Sequence, residues 1–549
     1  MSKKNKLLFA FVAFLKIVGS VIELMIPLLI SKSFDNYIAS KMDETTIKYM
    51  VLMGLSIVFA FVFNYMGNYL ASINANQITK EKRANFIKKL DELDNLQFDN
   101  IDRNDLLACL NLDFNNYYLF IQNIQRLGIR GPILLFGSLA LCIIYSFRIS
   151  IYLLITVFLV VLVVVVFSIV GVKKTKRLQD SYTEVIENSQ DAYYGSKQIR
   201  VYNTQESELN KFDKKSVRLA KNDFGVFNVS NLSTLITTIL LDGTFVLMLY
   251  ISSKIINVEI TIGEYLSFLS LYSIISHSSI SFSKLVIIIS RGKTAMARIA
   301  RYESIKPLKI DKISAKSQYF VEFSNVNFEY MSKSNFKFNG LNFFLKDRKN
   351  IEIIGPLGVG KTSLFKLMAG LYFPKGGTIK LDGTQANEIA RNDFGFVLQN
   401  DYIFQNSILF NIALKREYFE EELSLALQTS LAKEVVDKKE NGLDEKVGGG
   451  SKLSGGEKAR LLIARALLKK PKYLFLDNAL SSLDYATSKQ VMENIKKNYP
   501  NTIVVSICER PIDVNDNFIV VEKGTISAGD YSSLQSSNSF FKDFCREED

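Results

Sequence analysis

Long apolar runs, separated by polar connections, occur in the first half of the chain and end before residue 305. The run at 149–172 contains no charged residue and is long enough to cross a bilayer as one helix. The run before it ends at Arg148, so the two predict a helical hairpin with a tight turn near that residue. The whole pattern predicts six membrane-spanning helices, at 7–31, 47–72, 131–147, 149–172, 231–252 and 260–290.

The connections between these runs differ in length and charge. Residues 73–127 and 173–230 are long and rich in Lys and Arg, whereas 32–46 and 253–259 are short. The long connections keep a helical apolar spacing, which predicts that the membrane helices continue beyond the bilayer. By the positive-inside rule, the long basic connections and the N-terminus lie in the cytoplasm.

Four ionisable residues interrupt the predicted spans: Lys16 and Glu23 in the first, Asp242 in the fifth and His277 in the sixth. Such residues mark a functional path, or they face the bundle interior or snorkel towards an interface, and the sequence leaves these readings open. The sixth span is rich in serine, which suits either helix contacts or a polar cavity wall. We interpret Glu23 and His277 as candidates for a membrane cavity.

From about residue 319 the pattern changes to short β-rich runs that alternate with helical segments and glycine turns. This alternation predicts a soluble α/β domain over 319–549, joined to a membrane domain at 1–305 by a linker at 306–318. The chain has a formal net charge of +12, but its basic residues flank apolar runs. That distribution favours a membrane protein, with the lipid bilayer as a partner and no nucleic acid. The four cysteines form no CxxC pair, so neither a disulfide framework nor a zinc site is predicted.

The stretch IEIIGPLGVGKTSLFKLMAG, residues 351–370, predicts a strand, a phosphate-binding loop and the start of a helix. Backbone amides and the helix N-terminus favour an anion there, Lys361 would reach the β- and γ-phosphates of ATP, and the Thr362 hydroxyl would ligate Mg²⁺. In KYLFLD, 472–477, a buried strand would end at Asp477, which also suits Mg²⁺. The predicted nucleotide-binding residues of the loop are Gly355, Gly358, Gly360, Lys361, Thr362 and Ser363.

The stretch KLSGGEKARLLIARALLKKPKYLFLDNALSSLD, 452–484, resembles the signature and Walker B region of ABC transporter ATPases. The resemblance covers nearly the whole chain and implies a half-transporter of the exporter type. Its implied fold is a polytopic α-helical membrane domain, with six transmembrane helices extended into the cytoplasm, followed by an α/β P-loop ABC ATPase domain. Further matching stretches are 187–212 for a cytoplasmic loop, 321–330 with Tyr330 placed to stack on adenine, 395–414 with the Q-loop Gln399, and 481–484 with the D-loop Asp484.

The resemblance also implies an assembly. Two halves of such a transporter pair around two ATP molecules, and each ATP contacts the Walker motifs of one chain and the signature of the other. Coupling helices near 98–107 and 191–200 would transmit closure to the membrane domain. The implied contacts to the partner's ATP are Ser454, Gly455, Gly456 and Glu457, and the implied Mg²⁺ ligands are Thr362, Gln399 and Asp477.

The sequence departs from the family at the residues that surround the γ-phosphate. Asn478 follows Asp477 where the family usually has Glu, and an amide cannot accept a proton from the attacking water. Loss of such a base typically costs about 10²–10⁴-fold in rate. In the later strand, 502–510, Cys508 or a neighbour stands where the family usually has His, and the single histidine is His277. The segment 445–457 is also about one residue short of the family pattern.

These departures lead to the hypothesis of a heterodimer. This chain would carry a degenerate ATP site, while its intact signature completes the active site of a second half-transporter. A slowly hydrolysing homodimer, an ATP-gated regulator or channel, and an engineered hydrolysis-deficient variant are the alternatives. Export is the default direction, although some importers of metal chelates share this layout, and the substrate is left open. The expected location is the cytoplasmic membrane of a bacterium, with the ATPase domain in the cytoplasm.

Overall fold

The chain folds into two compact units, the first containing Met1–Leu93 and Ile101–Pro307 and the second containing Asp94–Asn100 and Leu308–Asp549. The short segment Asp94–Asn100 therefore belongs with the second unit although it lies within the first half of the sequence. Most of the predicted linker, at 308–318, lies outside the described residues. The computed structural model describes residues 2–40, 42–255, 260–307, 319–330, 336–399, 401–448, 453–507, 516–522 and 525–546.

The first unit is helical throughout its described regular structure. Two π-helical segments, Cys109–Asp113 and Ile124–Gly128, join three α-helices into one rod that ends at Tyr145. The helices before Pro307 are α1 (Lys3–Ser40), α2 (Glu44–Asp91), α3 (Asn95–Asp99), α4 (Arg103–Ala108), α5 (Phe114–Asn123), α6 (Ile129–Tyr145), α7 (Phe147–Tyr194), α8 (Ser196–Val201), α9 (Gln205–Ile255) and α10 (Ile262–Glu303).

Five helices among the described residues are long and apolar enough to cross a membrane. The sixth predicted span, 260–290, lies in α10, which is not one of the five. The serine-rich stretch at 267–283 lies within this helix. The five are Lys3–Ala39, Glu44–Asp91, Arg103–Tyr145, Phe147–Tyr194 and Gln205–Ser252.

The long helices extend well beyond the length that a bilayer requires. Helices α2 and α7 each contain 48 residues and α9 contains 51, whereas about 20 residues span the hydrocarbon core. The predicted hairpin turn near Arg148 is shifted, because α6 ends at Tyr145 and Ser146 has an extended backbone before α7 begins. The Ser146 backbone amide still bonds the Cys142 carbonyl, which allows a one-residue break between the helices.

The predicted coupling segments are short helices with shifted bounds. The first segment, predicted at 98–107, covers the last two residues of α3 and most of α4, and residues 100–102 separate these helices. Asp94 and Asp102 cap these helices by accepting hydrogen bonds from backbone amides inside their first turns. The second segment, predicted at 191–200, contains the end of α7, Gly195 and most of α8.

The second unit contains a six-stranded sheet in the order β12-β11-β3-β10-β9-β6, a four-stranded sheet in the order β2-β1-β4-β5, and the pair β7-β8. Its strands are β1 (Val321–Glu329), β2 (Lys337–Leu345), β3 (Ile351–Ile354), β4 (Gly376–Leu381), β5 (Thr384–Gln385), β6 (Phe394–Val397), β7 (Asn406–Ser407), β8 (Lys446–Val447), β9 (Tyr473–Asp477), β10 (Ile503–Ile507), β11 (Asn517–Glu522) and β12 (Thr525–Asp530). Its helices after the linker are α11 (Lys361–Met368), α12 (Ile408–Ala413), α13 (Glu420–Thr429), α14 (Lys433–Asp437), α15 (Gly455–Leu467), α16 (Tyr485–Asn498), α17 (Tyr531–Ser537) and α18 (Ser539–Arg546).

Parallel pairing brings functional segments to one edge of the six-stranded sheet. Strands β3, β9 and β10 are buried along their whole length, as their mainly apolar sequences predict for a parallel sheet. Strand β10 pairs in parallel with β3 and β9, and β6 pairs in parallel with β9. The carboxyl ends of β3, β6 and β9 therefore meet, which is where open α/β sheets bind ligands.

Candidate functional site

The phosphate-binding loop connects the buried strand β3 to helix α11. Gly360 is the N-cap of α11, has φ 102°, and leaves the first turn without a side-chain cap. The Lys361 ammonium folds over the loop and donates hydrogen bonds to the carbonyls of Gly355 and Pro356, the latter at 2.9 Å. The uncapped amides and this ammonium form a cationic end suited to a phosphate.

The loop requires glycine at two of its predicted positions. Gly355 has φ 151°, and a Cβ there would lie 2.1 Å from the Val521 carbonyl oxygen. A Cβ on Gly360 would lie 2.1 Å from Cζ of Phe336. Both positions are close approaches of backbone to a neighbour, so any larger residue would force the loop open.

The predicted Mg²⁺ pair is brought together from two elements. Thr362 lies in the first turn of α11 and Asp477 ends β9, and the Thr362 hydroxyl lies 3.5 Å from Asp477 Oδ1. Burial raises the pKa of Asp477, while Lys366 and the Thr362 hydroxyl act in the opposite direction. A hydroxyl and a carboxylate are the hard oxygen donors that Mg²⁺ prefers.

Asn478 follows Asp477 directly and has φ 54°, in the left-handed region. Its carbonyl accepts hydrogen bonds from the Ser481 amide and hydroxyl, which shapes the turn after β9. Asparagine tolerates this backbone conformation better than most residues with a Cβ. The site thus has an amide side chain at the position where the family resemblance implies a carboxylate.

Gln399 lies two residues after β6 and is exposed. Because Val397 pairs with Leu476 of β9, Gln399 follows a strand that ends beside the one bearing Asp477. The neighbouring strand β10 ends at Ile507, which pairs with Asp477. Cys508 comes next in sequence and lies outside the described residues.

Tyr330, predicted to stack on adenine, lies after β1 and is half-buried. Its hydroxyl forms a hydrogen bond of 2.8 Å with the Ser363 hydroxyl. Ser363 is 5% exposed, so this predicted nucleotide residue directs its hydroxyl to Tyr330. The bond ties the tyrosine to the first turn of α11.

Phe336 was not among the residues predicted from the sequence. It directly precedes β2, and its ring lies against Gly360 and 6.2 Å from the Tyr330 ring. Two aromatic rings therefore stand beside the phosphate-binding loop. The alternating aromatics of NFKFNG, 335–340, are the only sequence signal, and they are equally typical of an ordinary strand.

The signature residues form the N-terminus of a second helix, α15. The Ser454 hydroxyl accepts from the Glu457 amide at 3.2 Å, and Glu457 Oε2 accepts from the Ser454 amide at 2.8 Å. This capping box lowers the pKa of Glu457, chiefly through the bond from the Ser454 backbone. Ser454 and Gly455 are exposed, so the positive end of the helix faces outwards.

The D-loop packs beside the signature. A Cβ on Gly456 would lie 3.3 Å from both Leu483 Cδ2 and the Ser482 carbonyl oxygen. Asp484 caps α16, because its carboxylate accepts from the Thr487 hydroxyl and amide, and these bonds lower its pKa. The capping role accounts for an acidic residue at this position within the chain.

The segment Asp94–Asn100 contacts the end of the α11 region within the second unit. Leu96 is 4% exposed and belongs to the same apolar cluster as the core of the phosphate-binding helix. The Asp99 carboxylate accepts a 2.8 Å hydrogen bond from the Tyr372 hydroxyl and lies 3.7 Å from the Lys366 ammonium. Lys366 also bonds Tyr372, so a single network links α3 to α11.

In the first unit, both candidate cavity residues lie near Arg130. Glu23 accepts two hydrogen bonds from Arg130, at 2.8 and 2.9 Å. His277 and Arg130 both line a small cavity of about 20 Å³. Of the other charged residues predicted in spans, Lys16 is buried and Asp242 is exposed on α9.

Comparison with known proteins identifies the family. The family model for the ABC transporter transmembrane region matches residues 9–279, and the family model described as ABC transporter matches residues 338–481. The chain belongs to the ABC transporter family. It combines a multi-pass membrane domain with an ATP-binding domain, so the predicted fold class is confirmed.

Relatives and a solved structure extend the likeness of this ABC transporter over nearly its whole length. A Rickettsia typhi protein, provisionally named an export ATP-binding/permease protein, is 26% identical and covers 98% of this chain and 94% of its own. The uncharacterised ABC transporter ATP-binding protein YfiB of Bacillus subtilis is 25% identical over 98% and 96% of the two chains.

The ATP-dependent lipid A-core flippase of Pectobacterium atrosepticum is also 25% identical, over 91% of this chain and 88% of its own. A bacterial Atm1-family ABC exporter solved with ATP bound has a TM-score of 0.87 and 18% identity, and the match covers 99% of this chain and 98% of that one. This likeness shows a common fold.

Proposed function

We propose that this ABC transporter chain is one half of a heterodimeric, ATP-driven exporter, and that its own Walker site binds ATP without efficient hydrolysis. The observation that carries the proposal is Asn478 at the end of β9, directly after the buried Asp477. Its amide can hydrogen-bond a water molecule but cannot take up a proton. The chain's single histidine is His277, in the membrane domain, so the sequence of the ATPase domain offers no histidine as a second group.

The remaining donors fit the binding of ATP. The glycine loop, the Lys361 ammonium and the N-terminus of α11 present positive groups to phosphates, and Tyr330 and Phe336 provide aromatic faces for the base. Thr362, Asp477 and Gln399 would hold Mg²⁺, which when bound neutralises phosphate charge. Binding without hydrolysis is the expected outcome of a complete cradle that lacks its general base.

The signature supports an active role in the partner's site. Ser454 and Gly455 are exposed at the start of α15, a helix of 13 residues. The one basic residue in the first turn of this helix is Lys458. In the proposed dimer this helix end binds the γ-phosphate held by the partner's Walker motifs. This chain then contributes a signature to a competent site and a Walker site to an idle one.

The network between α3 and α11 supports coupling of ATP binding to the membrane domain. Lys366 lies on the helix that begins with the phosphate-binding Lys361, and it contacts both Asp99 and Tyr372. A shift of α11 on ATP binding would therefore be transmitted to α3 through these contacts. The names of the relatives favour export, and the basic connections favour a cytoplasmic ATPase domain.

The test is ATP turnover in lipid nanodiscs, by this chain alone and with the half-transporter encoded beside its gene. We expect the chain alone to bind ATP with little turnover and the mixed assembly to hydrolyse it. ATP binding is measured in every sample, which separates an inactive preparation from an idle site. Robust turnover by the chain alone would overturn the proposal in favour of a homodimer in which another group positions the water.

A further inference from the structure

A cluster of cationic side chains lies inside the membrane domain and is not accounted for by ATP hydrolysis. Lys16, in the middle of α1, is 1% exposed, and its ammonium donates to the Asn64 carbonyl at 3.0 Å and to Asn68 Oδ1 at 2.7 Å. A Cβ on Gly67 would lie 2.9 Å from Lys16 Cε, so the glycine lets the lysine stem lie against α2. A buried charge in a membrane helix is costly and calls for a functional explanation.

Two arginines join Lys16. Arg126 donates from Nε to the same Asn68 oxygen at 3.3 Å, and Arg130 forms its two bonds with Glu23. The Lys16 ammonium interacts electrostatically with three charged groups, those of Arg130, Arg126 and Glu23. Three cations and one carboxylate leave a net charge of +2 for this group, which we call the basic cluster.

The hydrogen bonding of the basic cluster is incomplete among the described residues. Nε of Arg130 and Oδ1 of Asn64 are buried and have no hydrogen-bond partner. Lys16 and Arg126 share one neutral acceptor, Asn68, instead of each facing a carboxylate. An anion would compensate the charge and accept from the unpartnered guanidinium nitrogen.

The position of the basic cluster indicates what kind of anion fits. Arg130 precedes the predicted span 131–147, Asn68 lies near the end of the predicted span 47–72, and Lys16 lies inside the predicted span 7–31, so the cluster extends from one membrane boundary into the span. The Arg130 side chain is 30% exposed, which opens the cluster towards the surface. Beside it, Leu127, Leu134 and Leu285 contribute apolar surface to the small cavity, which is also lined by His277, Ser278 and Ser281. A charged headgroup attached to an apolar tail matches both environments.

We propose that Lys16, Arg126 and Arg130 bind the phosphate monoester group of an amphiphile, the class of substrate that this exporter would carry; this rests on the proposed function. A phosphate monoester carries a charge of about −1.5 to −2 near neutral pH, close to the charge of the cluster. A carboxylate would leave one positive charge uncompensated. The two guanidinium groups supply the planar donors that suit phosphate oxygens.

The test is equilibrium binding of radiolabelled dodecyl phosphate to the full chain in dodecyl maltoside. Lys16→Met and Arg126→Met should each weaken binding by about 10-fold, the usual effect of losing a charge-assisted hydrogen bond. Lys48→Met, which removes an exposed cation from the other end of α2, is the matched control and should have no effect. Equal binding by the wild type and both cluster variants would overturn the proposal.

Glu23→Gln separates an anion site from a merely structural cluster. Removing this carboxylate frees Arg130 and should strengthen dodecyl phosphate binding by about 5-fold. A structural role predicts a lower unfolding temperature with no gain in affinity, and that result would count against the site. If Lys16→Met does not fold, Lys16→Arg keeps the charge and should retain binding, whereas Arg126→Met still tests the loss.

Competitors identify the source of the phosphate. Dodecanoate should compete poorly, and inorganic phosphate should compete far less well than dodecyl phosphate. Equal competition by inorganic phosphate would refute the amphiphile. In phosphatidylcholine nanodiscs, competition by added phosphatidic acid would identify a membrane lipid as the bound phosphate ester, and its absence would favour a single-chain ester.

The two proposals fail in different ways. ATP turnover of the mixed assembly, with no dependence of dodecyl phosphate binding on Lys16 or Arg126, would refute the basic cluster alone. Binding that depends on both residues, in an assembly whose ATP turnover never changes with dodecyl phosphate, would keep the anion site and refute transport of this class.

Discussion

Asp477 and Ser454 stand at opposite ends of one stretch of chain, and the residues beside them differ in kind. Asp477 is buried at the end of β9 and is followed by an amide in a left-handed turn. Ser454 is exposed at the start of α15 and is followed by two glycines and a glutamate that complete a capping box. Hydrolysis depends on a proton acceptor at the first place and on an open helix end at the second.

If this chain's Walker site is degenerate as proposed, the difference means that the degeneracy need not extend over the whole ATPase domain. The groups that bind phosphate by backbone geometry are intact on both sides. On the proposed function, the loss is restricted to side chains that would take part in the reaction. A partner whose Walker site carries a carboxylate at the position of Asn478 would then supply the missing proton acceptor.

The largest expected effect comes from placing a negative charge at the signature. Gly455→Asp puts a carboxylate at the exposed start of α15 and should reduce turnover of the mixed assembly by about 10²-fold or more, because the helix end would repel phosphate. Ser532→Asp, which places the same charge in the exposed first turn of α17, is the control. The steady-state ATPase rate is measured for both variants. Similar rates would show that the signature takes no part in ATP hydrolysis.

The next effect is a gain at this chain's own site. Asn478→Glu, alone or with Cys508→His, should raise turnover by the chain without a partner, up to about 10²-fold, because a proton acceptor returns. The left-handed backbone at 478 makes glutamate less favourable by about 1 kcal/mol, so the unfolding temperature should fall slightly. Asn478→Gln has the same length without the carboxylate, and an equal rate for Glu and Gln would point to deeper divergence of the site.

A smaller effect is expected at the aromatic pair beside the loop. Phe336→Ala should weaken ATP binding by about 5-fold, since a stacked ring contributes about 1 kcal/mol beyond burial. Phe344→Ala removes an exposed ring from β2, the strand that follows Phe336, and should leave ATP affinity unchanged. Titration with a fluorescent ATP analogue measures the affinity of both variants for the nucleotide. Unchanged affinity for Phe336→Ala would mean that this ring only supports Gly360.

The smallest effect concerns the capping box of α15. Ser454→Ala should destabilise the first turn by about 1 kcal/mol, which hydrogen exchange at the start of α15 would detect. The folded state holds Glu457 charged, so its contribution is fully present above the ordinary glutamate pKa. It is lost as the pH falls through the lowered pKa of the folded state. The protection factors of the amides at the start of α15 should therefore fall over this pH range, after correction for the intrinsic exchange rate. Constant protection factors would contradict the cap.

The sequence by itself determined the features that are encoded within a few neighbouring residues. Apolar run length predicted the membrane helices, and the glycine pattern at 355–360 predicted a phosphate-binding loop, because both depend on local spacing. The family and the fold class followed from such motifs and are confirmed. The identity of Asn478 is likewise read directly from the chain, although its role is still a prediction.

Only the tertiary structure decided which distant residues meet. Lys16 and Arg126 share Asn68 across separations of 52 and 58 residues, and Phe336, directly before β2, lies against Gly360. Asp94–Asn100 joins the second unit through Leu96 and Asp99 for the same reason. Local periodicity specifies which face of an element is apolar, whereas its neighbours are selected by packing of the whole chain.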